Sequence, residues 1–132
     1  MELISVLVAA AAAFGYGAVH YIVLSGHWVA ASGVKVDENG RPLAQNAKVS
    51  PFLLSGIAMV LVAGMMRHIL TMSGVNSVGG AIISGLGIGA FLVVPWVMIN
   101  NAFAGRPFML TVIDGAYAIV GCGIIGAVLA IL

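Results

Sequence analysis

Four runs of mainly apolar residues, at 3–32, 51–72, 78–102 and 107–131, leave this chain few ways to fold. A helix of about 20 such residues crosses the roughly 30 Å of hydrocarbon in a bilayer. The expected fold is therefore all-α: a polytopic membrane protein whose four transmembrane helices form one up-and-down bundle over residues 1–132. Composition agrees, since 62% of residues are hydrophobic and 7% charged, with a mean hydropathy of +1.18. Soluble domains carry about a quarter charged residues.

Local signals set the helix ends. Gly33 is a plausible stop for the first run; Ser50 and Pro51 suit the cap and first residue of the second, which Ser73-Gly74 ends; Pro107 suits the start of the fourth. Residues 33–50 form the one substantial polar loop, with Asn39-Gly40 and Arg41-Pro42 as turn signals. The remaining connections are short, which makes sequential helices antiparallel neighbours. The N-terminus lacks a basic segment and a convincing cleavage site, and Glu2 has the wrong sign for a signal peptide, so the first run is read as mature structure. Lys35, Arg41 and Lys48 in the first loop and Arg106 in the third oppose Arg67 near the second. The positive-inside rule then puts loops 33–50 and 103–106 in the cytoplasm and both termini outside a bacterial-type plasma membrane. Trp28, Arg67 and Arg106 are read as interfacial residues.

With a formal charge of +1 there is no basic field for nucleic acid. The stretch GCGIIG, residues 121–126, imitates a dinucleotide fingerprint. That fingerprint needs a strand feeding a glycine turn and a free helix N-terminus, whereas here the glycines lie inside an apolar helical run. No nucleotide is expected. Small residues instead let membrane helices approach closely, and two stripes suit that role: Gly80, Ser84 and Gly87 in the third run, and Ala118, Cys122 and Gly126 in the fourth. Cys122 has no partner for a disulfide or a cysteine-type metal site and reads as a packing residue.

Asp114 stands apart, because a carboxylate at the centre of a membrane helix costs about 2.5–3.5 kcal/mol on insertion scales and ordinarily has a partner or a task. It lies about 10 Å inward from Pro107, and His20 about 12 Å inward from Trp28 on the same side, so the two can share a layer. Tyr16, Ser55, Asn100, Asn101 and Tyr117 fall near that level, and all four runs can thus donate to one polar cluster: Tyr16, His20, Ser55, Asn100, Asn101, Asp114 and Tyr117. Arg106 is a further possible partner for Asp114. The cluster reads either as a hydrogen-bond network fixing helix register or as a point of ion, proton or ligand contact. His20 and His27 are about 10 Å apart along one helix and His68 lies towards the opposite face, so neither a shared haem iron nor another metal is expected, and no cofactor is called for. G-x-S-x-G, H-E-x-x-H and helically spaced carboxylate pairs are absent. The chain is not read as an enzyme, although a membrane enzyme built from unobtrusive residues stays open.

FGYGAVHYIVLSGHW at residues 14–28 and INNAFAGRPFMLTVIDGAYAIVGCGIIGAVL at 99–129 resemble the small four-helix membrane proteins of the domain of unknown function 1761 family. The resemblance rests on Phe14, Gly17, Tyr21, Gly26 and Trp28, then Asn100, Phe103, Arg106, Asp114 and Tyr117. It departs at His20, where that family commonly has an aromatic residue, and at Ser25, where Phe is common. It implies a bacterial-type membrane protein and no particular activity. The leading expectation is a structural or interaction subunit, a homo-oligomer or part of a larger membrane complex, packed through glycine-rich faces. The alternatives are a small ion, proton or solute transporter or channel using Asp114, and a lipid, quinone or pigment site lined by Phe14, Tyr21, Phe91 and Trp96.

Overall fold

A computed structural model describes residues 2–41, 43 and 50–132; Pro42 and Lys48, used above for a turn and for the charge balance, lie outside the described residues. Its elements are helices throughout: α1 (Glu2–Val23), α2 (Ser25–Ser32), α3 (Pro51–Met72), α4 (Val78–Ile88), a π-helical turn (Gly89–Val93), α5 (Val94–Phe103) and α6 (Phe108–Ile131). Four stretches, Glu2–Val23, Pro51–Met72, Val78–Phe103 and Phe108–Ile131, are long and apolar enough to cross a membrane. The protein is an all-α four-helix membrane bundle.

Helix α6 is its axis and packs against every other helix. On one side lies α1, whose Val6, Ala9, Ala10 and Ala13 recur at helical spacing and meet Ala63, Met66 and Leu70 of α3 and Cys122, Ile125 and Leu129 of α6. On the other side lies α4. Helix α3 rests mainly on α1, barely meets α4 and does not reach α5, so sequential helices are close neighbours at α5–α6 but hardly at α3–α4. The cause lies in the glycines. A Cβ at Gly85 would collide with the Cys122 carbonyl, one at Gly126 with the Ala81 carbonyl, and one at Gly89 would sit 2.6 Å from Ala118 O and Ile119 Cα. Backbone thus lies on backbone between α4 and α6, the close approach that small residues permit between membrane helices.

The interacting stripe is Ala81 and Gly85 of α4 with Gly89 of the π-turn, in place of the expected Gly80, Ser84 and Gly87: the first two members shift by one residue and the last by two. One residue is about 100° of helix rotation. Gly87 has open space where a Cβ would go, and Gly80 abuts Ser77, whose hydroxyl caps α4 by accepting from Gly80 N at 3.0 Å. On α6, Cys122 and Gly126 do meet α4, and Ala118 meets Gly89 of the π-turn.

The first run departs from one continuous helix at Leu24 (φ −98, ψ 13). Hydrogen bonds carry through, from Leu24 N to His20 O at 3.0 Å and from Trp28 N to Leu24 O at 2.8 Å, so the chain bends without breaking. Ser25 and Gly26, a pairing common at kinks, follow directly. The bend lays α2 on the start of α6, where Ala31 packs with Leu110 and Ile113. Gly33 ends α2 with φ 68, and its N–H reaches Val29 O. In the third run Pro95 lacks an N–H and its ring crowds the carbonyl four residues back, that of Phe91; the wide turn at Gly89–Val93 accommodates this. Helix α6 begins at Phe108, leaving Pro107 just outside it, and Ser50 precedes α3 with no side-chain cap.

Candidate functional site

Tyr16 and His20, one turn apart on α1, and Tyr21 beside them face Ile113, Asp114 and Tyr117 of α6. His20 Nε2 lies 2.9 Å from Ile113 O and His20 Nδ1 3.2 Å from Tyr16 Oη. A carbonyl can only accept, so Nε2 carries a hydrogen and donates it to Ile113 O, and in that tautomer of the uncharged ring Nδ1 is the acceptor for the Tyr16 hydroxyl. One residue along on both helices, Tyr21 Oη donates to Asp114 Oδ1 at 2.6 Å. These two bonds form a polar clasp between α1 and α6. Tyr117 extends it, its hydroxyl 3.4 Å from Met59 Sδ of α3 and 3.5 Å from Ala13 O. Gly17 makes room, since a Cβ there would stand 2.8 Å from the Tyr117 ring.

The rings fill the space between the helices. Tyr16 stacks on Tyr117 with centroids 6.1 Å apart, Tyr21 meets Tyr117 edge-on at 5.5 Å, and Trp28 meets Tyr21 edge-on at 6.2 Å. Such edge and offset contacts are favourable aromatic geometry. His20 is buried, while Asp114 is only half-buried. Among the described residues, Tyr21 is the side chain within hydrogen-bond distance of Asp114, and no cation reaches it. One carboxylate oxygen is therefore left for a proton, a water or a cation.

The structure gathers Tyr16, His20, Asp114 and Tyr117 from the expected cluster and leaves three residues outside it. Ser55 is exposed on α3, and Asn100 is exposed on α5. Asn101 Nδ2 donates instead to Thr111 Oγ1 at 3.1 Å, tying α5 to the first turn of α6. Asp114 pairs with Tyr21 rather than with His20. Arg106 is no partner either: its Nη1 donates to Ser32 O at 2.6 Å, satisfying a carbonyl at the end of α2. Phe91 and Trp96 are exposed, at 81% and 67%, and α1 does not pack against α5 or the π-turn, so these two do not share a crevice with Phe14 and Tyr21. Trp28 is half-buried beside Tyr21, and His27 and His68 are exposed. Sequence reasoning missed Tyr21 as the carboxylate's partner and Gly17 as the opening for a ring. The available signal was Asp114's need for a donor at its own depth, which Tyr21 meets as well as His20.

Residues 4–130 match the sequence pattern of a family described as Protein of unknown function (DUF1761). The chain belongs to the DUF1761 family. Of the positions on which the resemblance rested, Gly17, Tyr21, Trp28, Asp114 and Tyr117 of this DUF1761 chain meet in the clasp. Among curated proteins and among solved structures nothing matches the chain.

Proposed function

We propose that this DUF1761 chain is a structural or interaction subunit of a bacterial plasma membrane, associating through the outer face of α4 with another membrane helix, in the simplest case one from a second copy. The observation that carries this reading is the pair Gly79 and Gly87. They lie two turns apart on α4 with open space where a Cβ would go, and Ile83 between them is 72% exposed. The glycines that hold α4 to α6 are already covered; these are not. Over its 18-residue apolar stretch the third span buries 11% of residues within the chain and the fourth 44%, so the span bearing the open glycines is the least covered of the four. Small residues at such a face allow the backbone contact on which helix association in lipid depends. The closed, ring-filled clasp fits a part that holds shape.

An Ile83→Cys variant in a Cys122→Ala background is expected to form a disulfide dimer on oxidation in membranes, while Ile22→Cys on the equally exposed face of α1 stays monomeric. Absence of any Ile83→Cys dimer, with monomers alone in native mass spectra from mild detergent, would remove the reading. We further infer that both termini face outward, since Lys35, Arg41, Lys48 and Arg106 outnumber Arg67 on their side. In intact cells an impermeant maleimide is then expected to label Asn76→Cys and to spare Lys35→Cys until the membrane is opened; the reverse pattern overturns the orientation.

The free oxygen of Asp114 favours a second reading, in which this carboxylate takes up a proton or small cation as part of transport.

A further inference from the structure

At the end of the bundle opposite loop 33–50 the structure holds a polar cavity of about 200 Å³, with Arg67, Leu70, Thr71, Asn76, Leu129 and Ala130 among its lining residues. That is well above the roughly 15 Å³ that admits one water. We propose that this cavity binds a phosphate-type anion, with the Arg67 guanidinium as its anchor. The proposal is independent of the reading of α4 above.

Arg67 differs from an arginine that merely reaches for the interface. Its Nη1 donates to Ser5 Oγ of α1 at 3.3 Å and to Leu129 O of α6 at 3.4 Å, so the guanidinium is held by two helices other than its own. Ser5 is in turn positioned by its own bond to Glu2 O at 2.9 Å. A guanidinium has five N–H donors, and these contacts occupy Nη1 alone. The nearest carboxylate, Glu2 Oε1, lies 3.8 Å from Nη2 on a side chain that is 82% exposed. That is a loose surface pair which an incoming anion can replace. Among the described residues Nε has no hydrogen-bond partner, which leaves the Nε–Nη2 edge for the two-pronged contact by which arginine recognises tetrahedral oxyanions. Asn76 also lines the cavity, and the Thr71 hydroxyl there is spent on Arg67 O at 2.9 Å.

Depth places the guanidinium where lipid phosphates reach it. Arg67 is five residues before the end of α3, about 8 Å inward, and α3 at 22 residues is about 33 Å long. Its head therefore lies just beneath the interface, within reach of lipid phosphates. The apolar part of the lining, Leu70, Leu129 and Ala130, suits a ligand with an acyl or glyceryl portion beside its charge. A phospholipid headgroup and a free phosphate share the recognised group, and the test separates them.

Purified protein in mild detergent is titrated with dioleoylphosphatidylglycerol, dioleoylglycerol and inorganic phosphate, bound ligand being read by native mass spectrometry and by the shift in melting temperature. The phosphatidylglycerol is expected to bind and the phosphate-free dioleoylglycerol to bind at least tenfold more weakly. Binding of inorganic phosphate in competition with the lipid identifies a site open to either source; binding of lipid alone identifies a headgroup site; binding of inorganic phosphate alone identifies a free-anion site. Arg67→Gln is expected to weaken the bound phosphate compound by about tenfold or more. Ala130→Phe, which keeps the guanidinium and plugs the cavity, should do the same, and Arg106→Gln at the other end should bind as wild type. Melting of the unliganded variants identifies those that fold. Unchanged affinity in folded Arg67→Gln or Ala130→Phe, equal binding of dioleoylglycerol, or binding of none of the three probes overturns the proposal.

Discussion

Gly126→Ala is expected to lower the stability of the bundle by about 2–3 kcal/mol, although alanine is the better helix former by up to about 1 kcal/mol. The new methyl would enter the Ala81 carbonyl, whose carbon is 2.9 Å from the ideal Cβ, and backbone cannot rotate out of the way as a side chain can. Helices α4 and α6 must then move apart along their length, loosening the contacts of Gly85 and Gly89 as well, because the three glycines serve one seam. Gly85→Ala should behave alike. Gly87→Ala, two residues further along α4, meets nothing within 4 Å and should leave the monomer unchanged or slightly more stable. Thermal unfolding in detergent, followed by loss of the monodisperse peak, measures all three. Gly126→Ala melting with wild type, or Gly87→Ala falling as far, would mean that the seam does not lie where the glycines meet.

That contrast shows what was legible beforehand. Hydropathy and length located all four spans, because the cost of putting a polar backbone into lipid leaves a long apolar run one structure to adopt. The choice of glycine face was not legible. GLGIGA contains glycines on more than one side of its helix, and a rotation of one residue, about 100°, exchanges Gly80 and Ser84 for Ala81 and Gly85. Composition cannot distinguish these faces; only the fit against Ala118, Cys122 and Gly126 does. The bend at Leu24 escaped for a related reason. Ser25-Gly26 permits a bend there without requiring one, and the packing of Ala31 on Leu110 and Ile113, which rewards it, is tertiary. The polar cluster was legible in depth but not in azimuth. Counting residues at 1.5 Å each put α1 and α6 polar groups in one layer. It could not tell that Ser55 and Asn100 lie on outer faces, or that Arg106 has a carbonyl to serve at Ser32.

The clasp itself yields the second large effect. Tyr21→Phe removes the donor to Asp114 and is expected to cost about 1–2 kcal/mol, the upper range for hydrogen bonds between membrane helices, because a half-buried carboxylate is left with no side-chain donor. Asp114→Asn keeps an acceptor oxygen for the Tyr21 hydroxyl and should cost less. Asp114→Leu alone leaves the tyrosine hydroxyl unanswered, whereas Tyr21→Phe with Asp114→Leu removes both polar partners together and should recover most of the loss. A double-mutant cycle on these two positions is then expected to give a coupling of about 1 kcal/mol or more, and a coupling near zero would dissolve the clasp. The same variants separate the two readings of Asp114. If the carboxylate serves only to hold α1 on α6, Asp114→Asn in proteoliposomes leaves proton and cation flux where wild type has it. If its free oxygen carries a proton, Asp114→Asn abolishes flux while melting close to wild type, and Tyr21→Phe, which keeps the carboxylate, preserves flux while melting lower. Stability and flux would thus respond to different members of one hydrogen bond, a division that a purely architectural pair cannot produce.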